Sequence, residues 1–327
     1  MTEILFIKTS SMGDVLHHMP AVTDARRRFP DARLSWVLDE IYAPLAALHP
    51  AVDEIVPIAV HRLRKRLLEL PTWNEIREAT SKLRARRYDA VIDTQGLVRT
   101  ALMTKLIDGA SHGYDADSIR EPFATRFYDI SHNVGWDLHV IARNRTLTGL
   151  ALGYEPEGAP DYGFDRKFFA AEAAAPYAIL FHATAKTNKE WPEDRWVEVG
   201  KALASRGLEV VLPWGNDTER ARSERLAAQI ENARVPDLKP ILEVGKLIAG
   251  AQIVVGVDTG FLHIAAALGV PVVAVFTIVK SHTAIPLGPG RVEMVGAENG
   301  IPDVADVIAA IDRGNADPPR LFPSFQR

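Results

Sequence analysis

Not one of the 327 residues is cysteine. That excludes a disulfide framework, a thiolate metal site and a thiol nucleophile, and it suits a reducing compartment. Long apolar runs are lacking too. The longest stretch without a charge or a histidine, Ile264 to Val279, has 16 residues. It is interrupted by Gly269-Val270-Pro271, so it is too short to span a bilayer and reads as helix, turn and strand. The amino-terminal MTEILFIKTS has neither a basic leader nor a long enough apolar core for a signal peptide, and it reads as a first strand. Nor does charge of either sign prevail: 38 Lys and Arg stand against 42 Asp and Glu, a net charge of -4, and neither half of the chain is basic. Nucleic-acid binding by bulk charge is therefore excluded, and any phosphate site must be a local cluster. What remains, with 47% hydrophobic and 24% charged residues, is ordinary globular composition with room for about two domains of ~150 residues.

Short β-branched runs alternate with longer helical patterns. Residues 4–8, ARLSWVL, DEIVPI and YDAVID read as strands; Leu16 to Arg28, Ile41 to Leu48 and Trp73 to Arg87 read as helices. Between Ser111 and Asp161 the rhythm weakens. It resumes at YAILFH and continues through LEVVLPWG, QIVVGVD and PVVAVF, with helices expected at Glu193 to Ser205, Thr218 to Glu231, Ile241 to Gly250 and Leu262 to Leu268. Strands alternating with helices predict an α/β chain with two successive parallel sheets. The boundaries are placed at 1–165 and 166–305, with a terminal segment 306–327 expected to pack back on the first domain.

Four segments have residues suited to chemistry. Lys8-Thr9-Ser10-Ser11-Met12-Gly13-Asp14 joins the first strand to the first helix, the end of a parallel sheet where ligands bind. Gly13 permits close backbone approach, and Asp14 either supports the helix terminus or faces a ligand. There is no GxGxxG and no Gly-Lys-Ser/Thr, which disfavours a dinucleotide or P-loop site. Val257-Asp258-Thr259-Gly260-Phe261-Leu262-His263 is a second strand-to-helix passage, whose free N–H groups suit a pyrophosphate; His263 alone also suits a packing role. His182 to Pro192 brings Thr184, Ala185, Lys186 and Lys189 to a loop at the edge of the second sheet, and Glu219 follows Pro213-Trp214-Gly215. Last, Arg62, Arg64, Lys65 and Arg66 form a local basic cluster, which is either a solvated helix face or an anion site. Arg120 adds a forked donor.

Taken together, KTSSMGDVLHHMPAV, YDAVIDTQGLVRTAL, the REPF segment, FHAT…KEWP, LPWG and VDTGFLHIAAAL resemble the heptosyltransferase I branch of glycosyltransferase family 9. The resemblance implies a GT-B fold, with two Rossmann-like domains facing a central cleft, and an inverting transferase acting without metal or cofactor. L-glycero-D-manno-heptose would pass from ADP-heptose to a Kdo sugar of phosphorylated Kdo-lipid A, in lipopolysaccharide inner-core synthesis of Gram-negative bacteria. The enzyme would be cytoplasmic and peripheral to the inner membrane face, with no nucleic-acid partner. By the same resemblance Asp14 is the general base. Thr184, Ala185, Lys189, Glu219, Asp258, Thr259, Gly260 and His263 hold the donor, and Ser10, Gly13, Arg62, Arg64, Lys65 and Arg120 receive the acceptor. An apolar contact to the adenine side maps near Lys239. The chain departs from the family pattern after PVVAVF, where Thr277 to His282 replace the usual Gly-Pro-Thr/Ser and acidic residue. Two alternatives stay open: a related GT-B enzyme using another nucleotide sugar or acceptor, and a non-catalytic nucleotide-binding relative.

Overall fold

A computed structural model describes residues 1–59, 77–78, 80–163, 169, 175–184, 189–237, 240–278, 282–296 and 300–314. The chain divides into two compact units, Met1–Phe164 and Asp165–Arg327. In the first, β1 (Glu3–Ile7), β2 (Arg33–Asp39), β3 (Glu54–Ile58), β4 (Arg87–Asp93), β5 (Asp108–Tyr114) and β6 (Ile130–His132) form one sheet. Its order is β3-β2-β1-β4-β5-β6 and every pair is parallel. In the second, β7 (Tyr177–Phe181), β8 (Glu209–Val211), β9 (Ala233–Arg234), β10 (Ile253–Val257), β11 (Val272–Phe276) and β12 (Val292–Gly296) are ordered β12-β11-β10-β7-β8-β9, again all parallel. Each is the doubly wound order, in which the chain reverses its direction of growth once, between β1 and β4 and between β7 and β10.

The central strands read as continuous apolar runs because helices cover both faces of a parallel sheet. Ile4 to Ile7, Val254 to Val257 and Val272 to Val275 are buried accordingly. The helix Met12–Arg28 packs on the helix Val140–Leu152. Between them lies a buried ion pair: Arg145 Nε donates to Asp24 Oδ2 at 2.6 Å and its NH2 to Oδ1 at 3.2 Å. In the second unit Trp191 and Trp196 meet edge to face, with centroids 5.1 Å apart.

The structure differs from the sequence reading where side-chain pattern is weak. The stretch Ser111 to Asp161 belongs to the first sheet and its cover: β5 begins just before it, and β6 and the helix Val140–Leu152 lie within it. β5, DGASHGY, carries no β-branched residue and so sends no strand signal. β9 is two residues long and β12 has polar and half-buried positions, which is why both edge strands pass unnoticed. The helix ahead of β4 stops short of Arg87, which is already strand, and the helix after Trp214 spans Asp217–Ala227. At the carboxyl end, the helix Val304–Gly314 buries Val307, Ala310 and Ile311 in the core of the second unit, beside Trp196 and Leu203. The described part of segment 306–327 therefore packs on its own unit, and the remainder lies outside the described residues. No helix among the described residues is long and apolar enough to cross a membrane.

Buried histidines make both units sensitive to acid. His18 lies between Phe6 and Trp36, 5.1 and 5.0 Å from their ring centroids. Burial, reinforced by the charges of Lys8 and His49, holds its pKa well below the ordinary histidine value. Burial also lowers His49 and His182 from 6.5 to about 4. These imidazoles are neutral in the fold but take up a proton readily once unfolded. Their stabilisation is complete above pH 6.5 and is lost as the pH falls through the interval down to about 4. For His182, which shares a 2.8 Å hydrogen bond with Ser223 Oγ, the loss amounts to roughly 3 kcal/mol. Urea denaturation at a series of pH values is expected to show a shallower acid decline in His182→Gln. An unaltered decline would refute this role.

Candidate functional site

In a doubly wound sheet the two loops flanking the reversal point diverge and leave a crevice at the carboxyl ends of the strands. In the first unit these loops follow β1 and β4, and the sequence fills them with polar residues at Lys8 to Asp14 and Thr94 to Gly96. They are tied together. Gln95 Oε1 accepts from the backbone N–H groups of Thr9 and Ser10 at 2.9 and 3.1 Å, and Lys8 Nζ donates to Thr94 O at 2.8 Å. Gly96 holds φ +67°, a left-handed conformation that favours glycine. At the first turn of the helix Met12–Arg28, Asp14 Oδ2 accepts from Ser11 N at 2.8 Å and from Ser11 Oγ at 3.2 Å. That leaves the other carboxylate oxygen available.

The crevice is a pocket of about 450 Å³, its open mouth included, lined by Lys8, Asp14, Gln95, Arg120, Arg143 and neighbours. Three cationic side chains thus surround one half-buried carboxylate. Lys8 is buried, and burial lowers its pKa although Asp14 and Asp93 pull it up. Asp93, beneath the pocket, is raised by burial. Hydrogen bonds received from Thr100, Tyr128, Gly96 and Gln95 oppose the shift, the Tyr128 hydroxyl lying 2.8 Å away. The Arg143 guanidinium stands 3.8 Å from the Trp136 ring centroid and 4.9 Å from that of Tyr114, and it donates to Ser118 O. Its Nε is buried without a partner among the described residues. A guanidinium clamped between two aromatic faces is pre-organised for an oxyanion.

The second unit repeats the topology with other side chains. The loops after β7 and β10 carry Thr184, Lys189, Asp258 and Thr259, and they join as the first pair does: Thr184 Oγ1 donates to Asp258 O at 3.0 Å, and Lys189 Nζ to Asp258 Oδ2 at 2.6 Å. Thr259 is the N-cap of the helix Gly260–Ala267 but makes no side-chain capping bond. Its hydroxyl and the leading N–H groups of that helix suit an anion. His263 is buried in this helix. Glu219 closes the adjoining loop, accepting from Gly215 N at 2.7 Å and from Asn216 Nδ2 at 2.8 Å.

The tertiary structure therefore brings Asp14 and Arg120 to one pocket, with Ser10 on the loop that forms it and Gly13 in the first turn of the helix that follows. Ser10 Oγ accepts from Arg99 NH2 at 3.3 Å. It also joins Thr184, Lys189 and Asp258 into one cluster. Arg62, Arg64, Lys65, Ala185 and the position near Lys239 lie outside the described residues. The sequence reading missed Gln95, Tyr114, Trp136, Arg143 and Asn144, and did not single out Lys8 within its motif. Tyr114 to Asn144 fall in the stretch whose rhythm is weak, and Gln95 gains meaning only from the neighbouring β1 loop. The chain's Asp-x-Asp triplet, Asp115 to Asp117, serves a turn: Asp115 accepts from Ser118 N at 2.9 Å and from Asn133 Nδ2 at 2.8 Å.

Comparison with known proteins agrees with this fold. Residues 76–306 match the model of glycosyltransferase family 9 (heptosyltransferase). Lipopolysaccharide heptosyltransferase 1 of Pseudomonas aeruginosa is 43% identical over 276 residues, which cover 84% of this chain and 78% of that protein. The Escherichia coli K12 protein of the same name is 40% identical over 277 residues, covering 84% and 87%. Among solved structures, E. coli heptosyltransferase WaaC with ADP superimposes with a TM-score of 0.85 at 35% identity, over 95% of this chain and 98% of that one. The same enzyme with ADP-2-deoxy-2-fluoro heptose gives 0.83 over the same shares.

Proposed function

The chain belongs to glycosyltransferase family 9, the heptosyltransferases, and on that premise we propose that it transfers L-glycero-D-manno-heptose from ADP-heptose to a Kdo residue of Kdo-lipid A, at a membrane face. The observation that carries the acceptor side is the pocket holding Asp14 among Lys8, Arg120 and Arg143. Kdo and lipid A present carboxylates and phosphates, which such cations attract and which Arg143, fixed between Trp136 and Tyr114, would grip. The donor side is supported by the WaaC structures with ADP and a fluoro-heptose analogue and by the cluster of Thr184, Lys189 and Asp258.

In the inverting reaction Asp14 takes the proton of the acceptor hydroxyl as that oxygen bonds to the anomeric carbon of the heptose. The bond from this carbon to the β-phosphate oxygen of ADP breaks on the opposite face, and its electron pair leaves with ADP. Lys189 and the N–H groups at Gly260 receive the added negative charge, with Lys189 exchanging its Asp258 partner for phosphate. Glu219 contacts the ribose; Thr259 and His263 complete the donor site.

Incubation of the protein with ADP-heptose and Kdo-lipid A, followed by mass spectrometry, is expected to show one added heptose. In a parallel thermal-shift series ADP should raise the melting temperature more than UDP or GDP, since a ligand that binds only the fold stabilises it by mass action. Stabilisation by UDP or GDP in preference to ADP, without heptose transfer, would favour a related enzyme with another nucleotide sugar.

A further inference from the structure

The helix Val98–Thr104 and the residues just after it turn an unusual face to solvent. Arg99, Leu102, Lys105 and Leu106 recur at helical spacing and all are exposed, Leu102 at 47% and Leu106 at 39%. The opposite side is spent on the fold: Thr100, Ala101 and Thr104 are buried, and Thr104 Oγ1 donates to Phe127 O at 3.3 Å. The 3-10 turn Pro122–Phe127 packs beside this helix and adds Phe123, 55% exposed. Its ring lies edge to face with Phe127 at 5.6 Å and carries the Arg126 guanidinium 5.1 Å from its centroid. Large apolar side chains thus stand on the surface, interleaved with cations, in a chain whose net charge is -4.

We propose that this face docks the protein on an anionic lipid bilayer, with Leu102, Leu106 and Phe123 entering the headgroup boundary and Arg99 and Arg126 meeting lipid phosphates. Two observations select that occupant. The first is charge. Lys105 is matched by Asp129 at 2.7 Å, but no ion pair among the described residues engages Arg99, Arg120 or Arg126, so the face is locally basic. Apolar anchors combined with basic heads form the pattern of interfacial membrane binding, and a basic face repels neither component of an anionic bilayer. The second is continuity with the acceptor pocket. Arg120 lines that pocket two residues before the 3-10 turn. Glu121 accepts from Val98 N at 2.7 Å, which locks the turn to the helix, and Arg99 donates to Ser10 Oγ in the Asp14 loop. This inference rests on the lipid-linked acceptor proposed above: a sugar anchored in a bilayer reaches the pocket only if the rim of the pocket meets the lipid surface.

The test is vesicle flotation of the whole protein with phosphatidylcholine vesicles, with and without phosphatidylglycerol, for the wild type, Leu102→Ser/Phe123→Ser and Arg126→Glu. Circular dichroism and turnover of a water-soluble, deacylated acceptor accompany each variant to show that it folds. The wild type should bind only the anionic vesicles and be released by salt. Each variant should bind about tenfold or more weakly, losing turnover of the bilayer-embedded acceptor but keeping turnover of the deacylated one. Equal vesicle binding by wild type and variants overturns the proposal. So does a wild type that ignores anionic vesicles, including one that forms dimers through this face which the variants dissociate. Failure of the wild type to transfer heptose to any acceptor would instead remove the function proposed above, while the flotation result, which needs no acceptor, still decides the surface.

Discussion

Replacing Asp14 by asparagine is expected to lower kcat for heptose transfer about one-hundredfold to ten-thousandfold, the range supplied by a positioned general base. Folding and ADP affinity should stay close to those of the wild type. The separation follows from the two jobs of this carboxylate. One oxygen, Oδ2, accepts from the N–H and hydroxyl of Ser11 at the start of the helix Met12–Arg28, and an asparagine carbonyl oxygen accepts the same bonds. Loss of the negative charge near the helix N-terminus costs only about 0.3–1 kcal/mol. What asparagine cannot do is take a proton from an acceptor hydroxyl. Alanine loses the cap as well, so Asp14→Ala should match Asp14→Asn in activity but fall below it in stability. Steady-state kinetics with isothermal titration of ADP reads both quantities; an Asp14→Asn protein that turns over at the wild-type rate would remove Asp14 from the chemistry.

The largest effect on stability is expected at Arg145, which does not line the acceptor pocket. Its guanidinium and the Asp24 carboxylate have 8% and 7% of their side-chain surface exposed. The same guanidinium also donates to the carbonyls of Gly158 at 3.0 Å and Glu157 at 2.7 Å. Arg145→Met leaves a carboxylate buried without its cation and two carbonyls without donors, a change worth about 3–5 kcal/mol. The pair itself is a weaker source of net stability, because removing both charges also removes the cost of burying them. The double variant Arg145→Met/Asp24→Leu should therefore recover much of the loss. Chemical denaturation of the wild type and both variants measures this, and a single variant that loses less than about 1 kcal/mol would show the pair to behave like a surface bridge.

The sites were legible to different depths. Asp14, Lys189 and Asp258 stand in strand-to-helix passages that the alternation of patterns already locates, because β1, β7 and β10 are buried on both faces and read as apolar runs. Arg143, Trp136 and Tyr114 were illegible. They come from β5 and the segments after it, where DGASHGY offers neither alternation nor β-branching, and strand identity there comes from pairing with β4 rather than from local preference.

The sequence by itself determined that the chain holds two parallel α/β units, that any anion site is local, and which strand-to-helix loops have residues suited to chemistry, since hydrophobic period and loop composition are properties of neighbouring residues. Only the tertiary structure decided which loops stand together. The strand order places the turn after β1 beside the turn after β4, and the turn after β7 beside that after β10. This joins Gln95 to Thr9 and Ser10 and Lys189 to Asp258, across 86, 85 and 69 positions of sequence. Contacts at such separations depend on how sheets close around a shared core, which no local pattern encodes.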